Sequence, residues 1–242
     1  MKMTTRKLPY RMLVALSGSR VKFDIIVENN YTPITGKPII FAANHTNGCD
    51  MPIILRAVKR HFYVLVGKQR LGFLDRLFFF LIGTVYADRL NKADTSLTKK
   101  VLISLLRKGE AVLWFPEGTW NMSDNLLMLP MKWGIIEVAG YAGAQIIPVS
   151  LAYDRKAHTC AVRFGNPIAD PDLENKAAAI RNLRDTMASL RWEQICRDQI
   201  VSRVELDLEQ ERAEIVMAMK EYPYYQLEYE RQCIYRQKED EK

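Results

Sequence analysis

The chain has 242 residues, 48% of them apolar, enough to bury a substantial core as one domain with room for an appendage. Four cysteines, Cys49, Cys160, Cys196 and Cys233, lie far apart without CxxC spacing, so neither a disulfide framework nor a zinc site is indicated and a reducing interior is expected. The formal charge of +7 divides unevenly, about +11 over residues 1–171 and −4 over residues 172–242, which points to an anionic partner: nucleic acid, acidic lipid headgroups or a phosphorylated substrate.

Residues 1–34 read as a basic segment. The first 22 residues carry Lys2, Arg6, Lys7, Arg11, Arg20 and Lys22 and no acid, interleaved with Leu8, Tyr10, Met12, Leu13, Val14 and Leu16. That mixture suits the interface of an anionic membrane, although a frayed basic terminus has the same composition. The segment is too weakly apolar for a signal peptide. No run reaches the roughly 20 apolar residues that span a bilayer; the longest, LFFFLIGTVYA (Leu77–Ala87), has 11. The expectation is a protein peripheral to the cytoplasmic face of a membrane, with no transmembrane helix.

Over residues 35–171, strand-like and helix-like runs alternate. Lys37–Ala43 reads as a strand, Met51–Arg60 as a helix, Phe62–Val66 as a strand and Leu71–Ile82 as an unusually apolar helix. Thr84–Ala87 is a short strand, Ser96–Lys108 a helix and Ala111–Phe115 a buried-type strand. A helix over Met131–Ala142 and strands over Ile146–Tyr153 and Thr159–Phe164 close the series. This alternation predicts an α/β fold, a mainly parallel or mixed sheet flanked by helices. Residues 172–242 contain one proline, Pro223, and no glycine, with Ile180, Leu183, Met187 and Leu190 at helical spacing, so they form a helical C-terminal extension. Five tyrosines between Tyr222 and Tyr235 read as a packed aromatic face, or alternatively as a partner surface.

The chemistry concentrates after the strands. In FAANHTNGCD, His45 stands where a strand ends and Asp50 five positions later. Open α/β sheets bind ligands at that end. Imidazole accepts a proton from a hydroxyl near neutral pH, and a carboxylate on its other nitrogen fixes the tautomer and stabilises the imidazolium. On this segment alone, Asp50 also reads as the N-cap of the helix that Pro52 enters. Cys49 reads as a plain half-buried thiol without a base of its own. In LWFPEGTWN, Glu117, Gly118 and Thr119 turn out of a buried strand and offer hydrogen bonds to a polyol or to backbone. Arg89 follows a short strand, where its planar fork suits a phosphate. Pro148, inside the strand IIPVSLAY, implies an edge or a bulge.

In this order, H-x-x-x-x-D, G-x-x-x-x-x-R, F-P-E-G-T and a proline-bearing apolar strand resemble the glycerolipid acyltransferase family over roughly residues 35–170. The K-x-G at Lys132–Gly134 resembles it too. The resemblance implies that His45 is the general base and Asp50 its orienter, reversing the preference for a mere cap. It further implies that Arg89, Glu117, Gly118, Thr119 and Lys132 hold the acceptor near its phosphate and that Pro148 shapes an acyl groove. Family members usually carry arginine directly after E-G-T; here Trp120 stands there, with ring area and one N–H donor but no positive charge.

The resulting expectation is an O-acyltransferase moving a fatty acyl group from acyl-CoA or acyl carrier protein to a lysophospholipid-type acceptor. The first candidate acceptor is 1-acyl-sn-glycerol-3-phosphate, giving phosphatidic acid in phospholipid biosynthesis, without metal or cofactor. The alternatives are a non-phosphate acceptor (a glycolipid, an amine or another lipid alcohol, with Trp120 as a stacking platform) or a non-catalytic basic membrane-binding module. Nucleic acid is disfavoured, because the aromatic residues follow core periodicity rather than a stacking platform. Leu71–Ile82, with Phe73, Phe78, Phe79 and Phe80, reads as an acyl-chain wall, a membrane-dipping face or an ordinary buried helix.

Overall fold

Alternating apolar and amphipathic runs fold into one seven-stranded mixed sheet with helices on both faces. The computed structural model describes residues 3–4, 8–18, 21–68, 72–121, 127–196 and 209–220. Lys2, Arg6, Lys7, Arg20 and the tyrosines between Tyr222 and Tyr235 lie outside the described residues. The strands are β1 (Asp24–Val27), β2 (Ile39–Ala43), β3 (Tyr63–Gly67), β4 (Thr84–Ala87), β5 (Val112–Trp114), β6 (Gln145–Asp154) and β7 (Thr159–Phe164). The helices are α1 (Tyr10–Leu16), α2 (Asp50–Val58), α3 (Phe73–Ile82), α4 (Lys92–Arg107), α5 (Gly134–Ala142), α6 (Lys176–Ile195) and α7 (Glu209–Lys220).

The strand order is β1-β7-β6-β2-β5-β3-β4. The strands β2 to β6 are mutually parallel, β7 is antiparallel to β6, and β1 runs parallel to β7. Central β2 is buried along its whole length, and its side chains alternate between two cores as a pleated strand requires. Ile39, Phe41 and Ala43 meet Leu13, Ile53, Ile54, Phe78 and Ile82 from the α1–α3 layer. Ile40 and Ala42 meet Leu102, Leu106, Ile135, Ile136 and Leu183 from the α4–α6 layer. Burying one such side chain fully contributes about 1.5–3 kcal/mol, so this strand pins the sheet between both layers.

Three features differ from the sequence reading. Residues 24–27, expected within the N-terminal segment, form the edge strand β1; its exposed Ile26 and Val27 and short length hide any period-two pattern. The described part of the basic segment is also docked. Leu13 is fully buried, Tyr10 Oη donates to the Leu55 carbonyl at 3.3 Å, and Thr4 N donates to Thr84 O at 2.8 Å beside edge strand β4. Finally, α4 starts at Lys92, four residues earlier than its apolar periodicity indicates, because the Asn91 side chain caps it by accepting from Asp94 N at 3.1 Å.

Of the edge or bulge that Pro148 implies, the sheet shows a bulge. Its strand, β6, is not at an edge but lies between β2 and β7. The ladder to β7 begins only at Val149. Pro148 O accepts from Gly165 N at 2.9 Å, and the chain after β7 pairs with β6 again at Ile168, opposite Ile146. The stretch from Phe164 to Ile168 is one residue longer than that from Val149 to Ile146, so the partner is bulged opposite Pro148, where a missing N–H is tolerated.

The C-terminal extension packs on the α/β body. Glu137 of α5 accepts from Lys99 of α4 at 2.5 Å and from Lys176 of α6 at 2.7 Å, joining three helices. Both lysines hold its carboxyl below the usual carboxylate range against the opposing effect of burial.

Candidate functional site

Parallel strands aim their C-terminal ends at one rim of the sheet, and the loops after β2, β4 and β5 meet there. The loop after β2 is built by its own polar residues. Asn44 clamps the backbone of Leu151 in β6, donating to its carbonyl at 3.0 Å and accepting from its N–H at 2.8 Å. Asn47 Oδ1 accepts from Cys49 N at 3.0 Å, an Asx turn that swings the chain into α2.

His45 Nδ1 lies 2.7 Å from Asp50 Oδ2. Asp50 has a wholly buried side chain, whereas that of His45 is 25% exposed. The same Asp50 oxygen accepts from Thr46 N at 2.7 Å and Asn47 N at 2.9 Å, and Tyr153 Oη donates to Oδ1. The carboxylate therefore turns back onto the loop before α2 instead of capping it. The helix N-cap is Cys49, which makes no side-chain cap bond. With its acidic oxygen saturated by N–H donors, Asp50 can hold His45 only with the proton on Nδ1, leaving Nε2 as the basic nitrogen. Burial, then the Asp50 charge, pushes the Tyr153 hydroxyl well above its ordinary range, so it stays a donor.

Two aromatic rings fix the imidazole from the β5 side. Phe115 stacks on it at 4.3 Å between centroids, and Trp120 meets it edge-on at 5.1 Å. Trp120 is only 7% exposed, so its ring area is already spent on His45 rather than offered as the expected stacking platform. Gly118 takes the left-handed conformation (φ 73°) that the tight turn demands and glycine alone adopts without strain. Thr119 is buried beside it.

Arg89 reaches this turn from β4, its Nη1 donating to the Gly118 carbonyl. A side chain at Gly67 would bring Cβ to 3.1 Å from Arg89 Nε, so that glycine leaves the guanidinium its path. Asp94 positions the segment before it, accepting from Asp88 N at 2.7 Å. Lys132, two residues before α5, is exposed.

Glu117 lies differently from the expectation of an acceptor ligand. It is 3% exposed, and its Oε2 accepts from Leu129 N at 2.7 Å. Burial raises its carboxyl from 4.5 to about 7, against the lowering influence of the Leu129 N–H, the Arg191 charge, the His45 backbone N–H and the Arg212 charge. Tyr153, Phe115, Arg191 and Arg212 were not singled out in the sequence, since none stands in a spaced motif with His45. The nearest signal was Tyr153 ending a strand that reaches the same rim.

A model of the acyltransferase family matches residues 24–152. A 1-acyl-sn-glycerol-3-phosphate acyltransferase of Saccharomyces cerevisiae is 29% identical over 60% of this chain and 47% of its own length. A lyso-ornithine lipid O-acyltransferase of Brucella abortus is 28% identical over 67% of this chain and 61% of its own. The chain thus spans about half to three fifths of the length of these curated relatives. The fold is similar to the crystal structure of the 1-acyl-sn-glycerophosphate acyltransferase of Thermotoga maritima, with a TM-score of 0.61 and 16% identity over 80% of this chain and 81% of that one.

Proposed function

The chain belongs to the acyltransferase family, and from that premise we propose that it transfers a fatty acyl group from a thioester, acyl-CoA or acyl carrier protein, to the hydroxyl of a lysophospholipid-type acceptor. The observation that carries the reading is the 2.7 Å bond between His45 Nδ1 and the wholly buried Asp50 carboxylate at the rim of the sheet. His45 Nε2 takes the acceptor's hydroxyl proton while the oxygen attacks the thioester carbonyl. The tetrahedral intermediate collapses, the C–S bond breaks, and the proton passes to the departing thiolate. An ester and a free thiol result, without metal or cofactor. Asp50 stabilises the imidazolium formed on the way.

The first acceptor is 1-acyl-sn-glycerol-3-phosphate, the substrate in the yeast relative's name, with Arg89 and Lys132 supplying positive charge for the phosphate and phosphatidic acid as product. One feature favours a second reading, an acceptor without phosphate: Trp120 stands where the family pattern has arginine and packs against His45. The Brucella relative is named for a lyso-ornithine lipid. The test is a labelled acyl thioester, as acyl-CoA and as acyl carrier protein, given to wild type, His45→Ala and Trp120→Arg with lysophosphatidate, lyso-ornithine lipid and other lipid alcohols. His45-dependent transfer to lysophosphatidate, kept by Trp120→Arg, supports the first acceptor. Transfer confined to a phosphate-free lipid replaces it with the second, and no His45-dependent transfer to any acceptor overturns acyl transfer.

A peripheral position on an anionic membrane goes with such substrates. No helix among the described residues is long and apolar enough to cross a bilayer. On α3, however, Phe73 is 77% and Leu74 69% exposed, with Leu77 and Phe80 also exposed, while Ile82 on the opposite side is buried. Exposed aromatic and aliphatic side chains on one helix face suit insertion at the headgroup boundary. Phe73→Ser combined with Leu74→Ser should weaken binding to vesicles containing anionic lipid in a sedimentation assay. Unchanged binding would move the membrane contact elsewhere.

A further inference from the structure

Behind the His45 loop three charged side chains are buried, and only Glu117 belongs to the family-matched residues 24–152. Arg191 comes from α6 and Arg212 from α7. Such side chains are almost never fully buried without compensating partners. Each arginine is anchored to backbone beside the site: Arg191 Nη1 donates to Leu151 O at 3.0 Å, and Arg212 Nη1 to Asn121 O at 3.0 Å. Leu151 is the residue that Asn44 clamps just before His45. Asn121 follows the Glu117–Trp120 turn directly. The two C-terminal helices therefore hold the β6 backbone that Asn44 clamps and the segment that follows the Glu117–Trp120 turn.

We propose that the C-terminal helices complete the site, with Arg191 and Arg212 as positioning residues whose buried positive charges favour the carboxylate form of Glu117 and so hold the Glu117–Trp120 turn, whose Trp120 packs on His45, to the Leu129 backbone. The inference rests on the acyl-transfer reading for its kinetic consequence. As a carboxylate, Glu117 accepts the Leu129 N–H at 2.7 Å. Once protonated, one of its oxygens becomes a donor with no acceptor beside it, and the hold on the turn that packs Trp120 against His45 loosens. The charged and titratable groups around it are Arg191 from α6, Arg212 from α7 and His45 from the loop after β2, with Asp50 beyond, acting on Arg191. Burial, followed by the like charge of Arg212, lowers Arg191 to about 10, which leaves it positive at neutral pH.

The test measures kcat and KM against pH for the full chain as wild type, Arg191→Gln, Arg191→Lys and Arg212→Gln, together with Tm against pH for each and for Glu117→Gln. Losing an opposite charge nearby should move the acid limb of kcat up by about one unit or more in Arg191→Gln. KM for the thioester should stay unchanged, and Arg191→Lys should restore the limb. Wild-type Tm, relative to Glu117→Gln, should decline between pH 4.5 and about 7, and in Arg191→Gln that decline should run on to higher pH. A merely structural role would lower Tm at every pH and move neither profile, which overturns the proposal. Should Arg191→Gln not fold, Arg212→Gln must show the same displacement, and its absence there overturns it equally. A wild type inactive towards every acceptor sinks the acyl-transfer reading, while the Tm profiles still decide whether the arginines set the charge of Glu117.

Discussion

The loops after β2 and β5 leave neighbouring strands at the same rim, and each buries a carboxylate. Asp50 is surrounded by donors within its own sheet and loop: His45 Nδ1, Thr46 N, Asn47 N and the Tyr153 hydroxyl. Glu117 accepts one backbone N–H, from Leu129, and draws further support from charges on two distant helices, and burial still raises it to about 7. A carboxylate ringed by short-range donors is fixed in orientation, which suits the partner of a base. One held against desolvation by charges from elsewhere is conditional, ionised only while those charges stay in place. The comparison separates a residue that directs chemistry from one that couples the site to the rest of the fold.

The sharpest way to break it is at His45. His45→Ala removes the proton acceptor and should lower turnover by about 10²–10⁴-fold, with some loss of Tm as well, because Phe115, Trp120 and the buried Asp50 carboxylate each lose the imidazole. A small effect on turnover would mean that the proton goes elsewhere and that Asp50 is only a loop brace. Asp50→Asn should have a smaller effect. Three N–H donors converge on Oδ2, so the amide oxygen must take that place and the amide NH2 must face Tyr153, whose hydroxyl can turn to accept. Orientation of His45 survives and only the negative charge is lost, so kcat should fall while KM holds. A drop as deep as that of His45→Ala would show that the amide has flipped.

Glu117 offers a test on stability. A carboxyl raised from 4.5 to about 7 on folding contributes stability that is full below pH 4.5 and is lost as pH rises through 7. The shift corresponds to roughly 3 kcal/mol. Chemical denaturation of wild type should therefore show a loss of about that order between pH 4.5 and 7, absent in Glu117→Gln. A flat difference across this window would mean that the donors and charges around Glu117 offset its burial, and would dissolve the contrast.

Much of this was legible in the sequence because it is local. The five-residue gap from His45 to Asp50 closes within one loop, so spacing alone could suggest the pair, and β2 to β7 follow from contiguous apolar runs. The cap reading of Asp50 failed because choosing between the loop's N–H groups and those of α2 depends on the Asn47 turn, which composition does not reveal. Glu117 was expected to face the acceptor because the family resemblance assigns the E-G-T turn to it; here the side chain is buried, with Arg191 of α6 and Arg212 of α7 acting on it. Arg191 and Arg212 were invisible in the sequence. They stand 74 and 95 positions beyond Glu117 in the sequence, in helices whose periodicity reports packing but not which charge points inward. The edge strand β1 was missed because a strand with one neighbour and exposed apolar side chains carries no burial pattern.

The finest test of the comparison is Tyr153→Phe. It removes one donor from Asp50 Oδ1 and changes nothing at Oδ2, where His45 is bound. A hydrogen bond to a charged group contributes about 1.5–3 kcal/mol, and the loss should appear first as lower stability, because the ring also packs edge-on against Phe23 at 4.9 Å and keeps its place. Turnover should fall only modestly, since the Nδ1 contact and both loop N–H bonds remain. Combined with Asp50→Asn, however, the same substitution should be worse than the two effects added, because the amide NH2 of the asparagine would then face a phenyl edge with no acceptor. A double-mutant cycle on Tm and kcat measures that coupling. Strict additivity would mean that Tyr153 does not orient the residue at position 50, and that the Asp50 carboxylate is held by its own loop alone.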